Sequence, residues 1–145
     1  MFKRILLPTD GSDLSSRAVL AGVSFAKEVG AKVFGMTAMP DFKTFTANAD
    51  MLESTEDEYL GASETRGGKY LSTIANAASA VGVECATMLV RSDDPHEAIL
   101  RTAREQGCDL IIMASHGRHG LAGVLLGSET QKVLVHSAIP VLVYR

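Results

Sequence analysis

The sequence predicts an α/β protein with a doubly wound, five-stranded parallel sheet and helices on both faces. Short apolar runs rich in valine, isoleucine and leucine alternate along the chain with longer segments of helical periodicity. The apolar runs are nearly continuous, as is typical of strands that are covered on both faces. Successive β–α units of this kind indicate right-handed crossovers into one parallel sheet.

Five segments are expected to form the strands of this sheet. In chain order they are Phe2–Pro8, Ala31–Met39, Val83–Val90, Asp109–Ser115 and Ile139–Arg145. Helical periodicity separates each strand from the next. The stretch from Pro40 to about Ser54 shows no clear period, so it is interpreted as an irregular connection.

Capping residues mark where the helices are expected to begin. Asp13 is placed to cap the first helix, and Asp94 precedes a proline at the first position of a later helix. Ser128 and Gln131 form a capping box for the last helix. In the long central segment, Gly67-Gly68 predicts a kink or break, because an interior glycine costs about 1 kcal/mol relative to alanine.

The composition is that of a cytoplasmic globular protein. The 145 residues have 46% hydrophobic and 21% charged side chains and a net charge of −3, and they predict one domain over residues 1–145. Since there is no basic stripe, no nucleic-acid partner is expected. No apolar run approaches the roughly 20 residues of a membrane span. Cys85 and Cys108 lack metal-ligand spacing and are interpreted as buried thiols in a reducing compartment.

The loops that follow the strands form the candidate site. Doubly wound sheets bind ligands beyond the carboxyl ends of their strands, where the winding reverses. The most informative loop is "MASHGRHGLAGVLLGS", from Met113 to Ser128, whose glycines lie at positions 117, 120, 123 and 127. Free backbone N–H groups in such a loop can converge on phosphate, and a helix N-terminus follows it. Two interpretations remain open: a phosphate cradle, or a tight turn in which Ser128 only caps its helix.

Three other polar side chains of these loops are candidates for chemistry. Asp10 directly follows the first strand, where it could accept hydrogen bonds from ribose hydroxyls or hold Mg²⁺ through water, or merely close a turn. His116 and His119 could approach a phosphate, but no nucleophile accompanies them, which favours polar loop residues. No catalytic residue and no protein metal ligand is predicted.

With these motifs assembled, the whole chain, from "KRILLPTDGSD" to "SAIPVLVYR", resembles the universal stress protein family. Nucleotide-binding members of that family have a glycine motif after the fourth strand. Gly117, nine further residues and then Gly127-Ser128 match three of its four elements, whereas Ala114 stands at the first. Pro8-Thr9-Asp10 matches the family's motif at the end of the first strand.

The resemblance implies a Rossmann-like sheet of order 3-2-1-4-5 with ATP as the ligand, with or without Mg²⁺. By matching position, Pro8 and Asp10 would face adenine and ribose, and Ala38 would line the base pocket. Met113 would border the nucleoside, while the glycines and the serine of the motif would hold phosphates. The complete predicted binding set is Pro8, Thr9, Asp10, Ala38, Met113, Ala114, His116, Gly117, Gly127 and Ser128.

Two departures from the family pattern bear on binding. Ala114 adds a methyl group, and a requirement for positive φ there would cost roughly 1 kcal/mol or more. Asp93, in "SDDP", stands where the family often has glycine, and its carboxylate would repel a triphosphate unless it faces solvent or is bridged by Mg²⁺.

Three functions are compatible with this pattern. The leading one is an ATP-binding regulatory protein of the cytoplasmic stress response that acts as a nucleotide-dependent homodimer, paired through the exposed edge of the C-terminal strand, with an unidentified protein partner. The second is a dimeric interaction protein that binds no nucleotide. The third is a slow nucleotide or phosphate-ester hydrolase that uses His116 or His119. At most weak ATPase activity is expected.

Overall fold

The computed structural model describes residues 1–41, 56–117 and 125–145. Positions predicted to matter at His119, Gly120 and Gly123, and most of the stretch from Pro40 to Ser54, lie outside these residues. The elements alternate from strand to helix: β1 (Arg4–Pro8), α1 (Asp13–Val29), β2 (Lys32–Met39), α2 (Glu56–Ala80), β3 (Cys85–Arg91), α3 (Pro95–Glu105), β4 (Leu110–Ala114), α4 (Ser128–His136) and β5 (Val141–Tyr144).

The strands form one parallel sheet in the order β3-β2-β1-β4-β5, which confirms the predicted fold class and strand order. β1 lies at the centre, where Ile5 pairs with Val33 of β2 on one side and with Leu110 of β4 on the other. The winding reverses between β1 and β4, so the ends of these two strands border the crevice expected of such sheets.

Alternate residues of the central strands pack into two hydrophobic clusters, one on each face. Ile5 and Leu7 face α1 and α2, whereas Leu6 faces α3 and α4. Ile5, Leu6 and Leu7 are completely buried. This explains why the central strands are apolar at consecutive positions.

The central helix α2 is continuous through Gly67-Gly68, so the predicted kink or break is wrong. Gly67 is buried, and a Cβ atom built on it would overlap the side chain of Leu89 in β3. The glycine therefore allows the helix to approach the sheet closely, and packing compensates for its poor helix propensity.

Two helices begin one residue earlier in the chain than their capping patterns suggest. Ser12, not Asp13, is the N-cap of α1, and its side chain accepts a hydrogen bond from the Ser15 N–H at 3.2 Å. Gly127, not Ser128, is the N-cap of α4, and no side chain caps that helix. The predicted capping box at Ser128 is therefore wrong. Within the described ranges, no helix has the length and apolar character needed to cross a membrane.

Candidate functional site

The loop after β1 is fixed by hydrogen bonds to its neighbour strand and to α1. The Thr9 N–H donates to the Met36 carbonyl at 2.9 Å, and the Thr37 hydroxyl donates to the Thr9 carbonyl at 2.7 Å. The Thr9 hydroxyl lies 3.0 Å from the Ser15 hydroxyl. Thr9 is thus buried and supports the loop, while the next residue, Asp10, reaches the edge of the crevice.

Asp10 and Gly117 meet across the crevice between β1 and β4. One carboxylate oxygen of Asp10 accepts the Ser12 N–H at 3.0 Å, which closes the turn. The other oxygen lies so close to Gly117 that a Cβ atom at that position would overlap it. The structure therefore brings these two predicted site residues together. Gly117 does not have a positive φ, so close approach rather than a left-handed backbone calls for a glycine there.

The two ends of the glycine loop are held together next to the start of α4. The Gly127 N–H donates to the Ser115 carbonyl at 2.7 Å, and the Thr130 hydroxyl donates to the Ala114 carbonyl at 3.0 Å. Gly127 has an extended backbone, with φ −69° and ψ 156°. A Cβ atom on Gly127 would lie 3.1 Å from the His116 Cα, so this glycine also allows a close backbone contact.

The first turn of α4 has backbone donors directed out of the helix. Among the described residues, no hydrogen bond uses the N–H groups of Ser128, Glu129 or Thr130. The exposed Ser128 hydroxyl likewise has no partner there. Such a turn combines unsatisfied N–H groups with the positive end of the helix dipole, and both favour an anion.

Ala114 requires no unusual backbone conformation. It is the last residue of β4, and no described residue other than glycine has a positive φ. Its side chain packs with Leu14 and Ala18 of α1 and with Tyr144 of β5. The methyl group is therefore accommodated by α1 and β5, and the strain considered from the sequence is absent.

Ala38 and Met113 lie on the α3 and α4 face of the sheet. Met113 is buried in the hydrophobic cluster of that face, and Ala38 packs against the same cluster. β2 and β4 flank β1, so these two apolar residues stand on either side of the central strand. Pro8, the last residue of β1, is half-buried and belongs to the strand between the other two.

Asp93 is exposed and is turned toward the end of β2. One of its carboxylate oxygens accepts the Asp41 N–H at 3.1 Å. Its charge therefore stabilises the connection after β2. His116 lies at the start of the glycine loop, with its Nδ1 atom 3.2 Å from the Ser115 hydroxyl.

A contact that sequence patterns did not indicate joins the first turns of α3 and α4. Glu129 accepts hydrogen bonds from the His96 N–H at 2.8 Å and from His96 Nδ1 at 2.9 Å. The side chain of Asp94, the expected cap, makes no capping bond, so Glu129 caps α3 from another helix. Because the partners are 33 residues apart, no local capping pattern could have revealed the pair.

The surroundings of Glu129 favour its ionised form. Partial burial, the largest single influence, raises the pKa of this carboxyl, but hydrogen bonds from the His96 backbone and ring and the Lys132 ammonium together outweigh it. The pKa of Glu129 is therefore lowered from 4.5. The carboxylate is held toward α3 by His96.

The described residues contain no group of three or more histidine, cysteine, aspartate or glutamate side chains that could hold a metal ion. Asp10 belongs to no such group among these residues.

Comparison with known proteins places the chain among proteins of the same architecture. Residues 1–145 match the Universal stress protein family. The Bacillus subtilis protein "Universal stress protein YxiE" is 34% identical over 149 aligned positions, covering 100% of both chains. The structure of MJ0577, from Methanocaldococcus jannaschii, superposes with a TM-score of 0.84 at 29% identity, covering 99% of this chain and 96% of that one.

A universal stress protein solved in complex with cAMP shares the fold, with a TM-score of 0.69 at 24% identity and coverage of 99% of this chain and 97% of that chain. The match to the family extends over residues 1–145, and the fold superposes on a solved universal stress protein. The chain belongs to the universal stress protein family.

Proposed function

We propose that this chain is an ATP-binding regulatory module of the cytoplasmic stress response, formed by one domain over residues 1–145. ATP would occupy the crevice between the ends of β1 and β4. Binding of ATP would change how a homodimer of the protein contacts a protein partner. Family membership supports the connection with stress. The cAMP complex of a protein of the same fold supports an adenine nucleotide as the class of ligand.

The first turn of α4 is the observation that carries the proposal. Three consecutive N–H groups, from Ser128 to Thr130, have no acceptor among the described residues, and the Ser128 hydroxyl lies beside them. A Cβ atom on Gly117 would overlap the Asp10 carboxylate and one on Gly127 would lie 3.1 Å from the His116 Cα, so glycine at both positions lets the described ends of the loop come close together. Phosphate oxygens are the ligand chemistry that such an arrangement of donors fits.

The remaining site residues fit a nucleoside placed beside these phosphates. Ala38 and Met113 supply apolar surface on the α3 and α4 face, which suits a base that is held largely by backbone and apolar contacts. Asp10 would accept hydrogen bonds from ribose hydroxyls. Pro8 and Thr9 would shape the wall, and Ala114 and His116 would border the phosphates.

Mg²⁺ fits this site as a companion of the phosphates. A magnesium ion usually keeps several water ligands and binds through substrate phosphates with one or two carboxylates. Asp10, which is proposed to face the ribose, would approach the ion through water. We propose binding rather than efficient turnover, because Ser115, whose hydroxyl contacts His116, is only 2% exposed and is therefore not free to attack a phosphate in the crevice.

The homodimer is proposed to form through β5. This strand pairs with β4 alone, so its other backbone edge has no strand partner among the described residues. Three large apolar side chains on α4 and β5 are exposed: Leu134, Val135 and Leu142. An apolar surface next to an unpaired strand edge favours association with a second copy.

Titration calorimetry with Mg²⁺-ATP tests nucleotide binding, on protein that has been denatured and refolded to remove carried-over nucleotide. The informative variant is Ser128→Asp. A carboxylate in the first turn suits the helix dipole and preserves folding, but it repels phosphate. Ser24→Asp, on an exposed position of α1, is the control with the same charge change.

We expect Ser128→Asp to weaken ATP binding by about tenfold or more, equal to about 1.4 kcal/mol, and Ser24→Asp to bind like the wild type. Absence of wild-type binding at millimolar ATP would contradict the proposal and favour an interaction module that binds no nucleotide. Equal binding by Ser128→Asp and the wild type would place the phosphates elsewhere.

A further inference from the structure

A second concavity lies between the start of α1 and the middle of α2. Its volume is about 440 Å³, within the range of small-molecule sites. Thr9, Gly11 and Ser16 form one wall, and a stripe of α2 side chains forms the other. The cleft opens on the side of the sheet covered by α1 and α2, whereas Met113 faces α3 and α4.

The charged side chains among the described lining residues are both positive. Arg66 and Lys69 lie three residues apart on one face of α2, and the described part of the lining includes no carboxylate. None of the ion pairs among the described residues involves either cation. Like charges at this spacing repel each other, so the pair is unfavourable for the free helix. This concentration of positive charge stands out in a chain whose net charge is −3.

Hydroxyl groups complete the polar lining. Ser16 and Thr73 face the cleft from α1 and α2, and the Ser16 hydroxyl makes no hydrogen bond among the described residues. The Thr73 hydroxyl has only a long contact, 3.5 Å, with the Lys69 carbonyl. Both hydroxyls can therefore donate to an anion that the two cations attract.

The width of the cleft is fixed by the contact between Gly11 and Tyr70. Gly11 has φ +78°, and a Cβ atom there would overlap the Tyr70 ring. The ring packs directly on the backbone of the loop after β1 and ties that loop to α2. This packing orders the two walls before a ligand binds, which lowers the cost of ordering the site around it.

We propose that this cleft binds a small phosphorylated molecule, with its phosphate dianion held by Arg66 and Lys69. The Arg66 guanidinium supplies a planar fork that matches two phosphate oxygens, and the Lys69 ammonium adds a compact charge. The hydroxyls of Ser16 and Thr73 would bind the remaining oxygens. A volume larger than that of a bare phosphate leaves room for a polar body such as a sugar. Thr9 borders both this cleft and the proposed ATP crevice, but the cations and hydroxyls that would hold the phosphate lie on α1 and α2, so the proposal does not depend on ATP binding.

An amide NMR titration tests the assignment, with inorganic phosphate and glucose 6-phosphate as probes at constant ionic strength. We expect saturable shifts at Gly11, Ser16, Arg66, Lys69 and Thr73, with tighter binding of the sugar phosphate than of phosphate. Equal affinity for the two probes at these residues would show that the cleft recognises phosphate alone, and it would overturn the proposal of a phosphorylated small molecule. Absence of shifts at millimolar concentration, or shifts confined to Ser128–Thr130, would overturn the site itself.

The double variant Arg66→Gln and Lys69→Gln removes both cations from exposed positions and relieves their mutual repulsion, so it is expected to fold. The control is Lys27→Gln with Arg101→Gln, which removes two exposed cations outside the cleft. We expect the first variant to weaken sugar-phosphate binding at least about tenfold and the control to leave it unchanged. If both double variants weakened sugar-phosphate binding equally, the effect would arise from the net charge of the protein, and the proposal would be overturned.

Discussion

At the scale of single residues, the neighbouring glycines of α2 have opposite surroundings. A Cβ atom on Gly67 would overlap Leu89 and lie 3.3 Å from the Met39 Cε atom, whereas nothing lies within 4 Å of one on Gly68. Only Gly67 is therefore required by packing. Both positions have the same intrinsic helix propensity, so the comparison separates packing from propensity.

We expect Gly68→Ala to stabilise the protein by about 0.5–1 kcal/mol, because alanine is the better helix former. Gly67→Ala gains the same propensity but must displace Leu89, and overpacking of this kind typically costs about 1–3 kcal/mol. The expected net effect is destabilisation by about 1 kcal/mol. Urea denaturation of both variants measures this. Equal stabilisation by the two alanines would show that Leu89 moves aside freely.

The site residues could be predicted from the sequence where their position depends on the chain itself. Asp10 and Gly117 follow the adjacent strands β1 and β4, so the parallel topology alone brings them to one edge. The reason for the glycine at Gly117 could not be predicted, because it depends on the carboxylate of Asp10, over one hundred positions earlier. Motif spacing identifies the residue, and only tertiary contact explains it.

At the scale of elements, the helix termini differ most from the sequence prediction. Adjacent polar residues compete for the cap, and Ser12 rather than Asp13 has the extended backbone that a cap requires. At α4 no described side chain acts as the cap, which leaves the first-turn donors without an acceptor in the described part of the chain. At α3 the acceptor is Glu129, from a different helix. Capping motifs in the sequence involve only residues within one helical turn, so they cannot predict a cap supplied by a distant residue.

The pairing of α3 with α4 through Glu129 makes stability depend on pH. The pKa of Glu129 is lowered in the folded protein, so the stabilisation is complete above about pH 4.5, its ordinary value, and is lost as pH falls through the lower folded pKa. Glu129→Gln retains an acceptor for the His96 N–H but removes the charge. We therefore expect it to cost roughly 0.5 kcal/mol at pH 7, since the Glu129 side chain is 37% exposed and solvent screens its charge.

Thermal denaturation from pH 7 to pH 3 measures this dependence, and the two melting curves should converge as the solution becomes acidic. The control, Glu28→Gln, removes an exposed carboxylate that has no ion pair among the described residues. A difference between the wild type and Glu129→Gln that persists unchanged at pH 3 would assign the effect to packing instead of charge.

At the scale of the whole molecule, the sheet topology follows from the sequence, whereas assembly depends on the two edges of the sheet. Alternating β–α units fix a parallel sheet, and the family resemblance supplies the strand order that is observed. The two edges, β3 and β5, differ in what surrounds them. Exposed apolar side chains of α4 and β5 accompany the β5 edge, whereas α2 packs beside β3.

The proposed dimer predicts that only one of these edges is sensitive to charge. Leu142 in β5 and Met88 in β3 are exposed to nearly the same extent, 40% and 37%, and both lie in edge strands. An arginine at the dimer interface would be buried without a partner, which is unfavourable, while an arginine on a free edge stays hydrated. Leu142→Arg is therefore expected to give a monomer and Met88→Arg to remain dimeric, as measured by light scattering after size-exclusion chromatography at micromolar concentration. A wild-type monomer would refute the dimer, and dissociation by Met88→Arg alone would move the interface to the β3 edge.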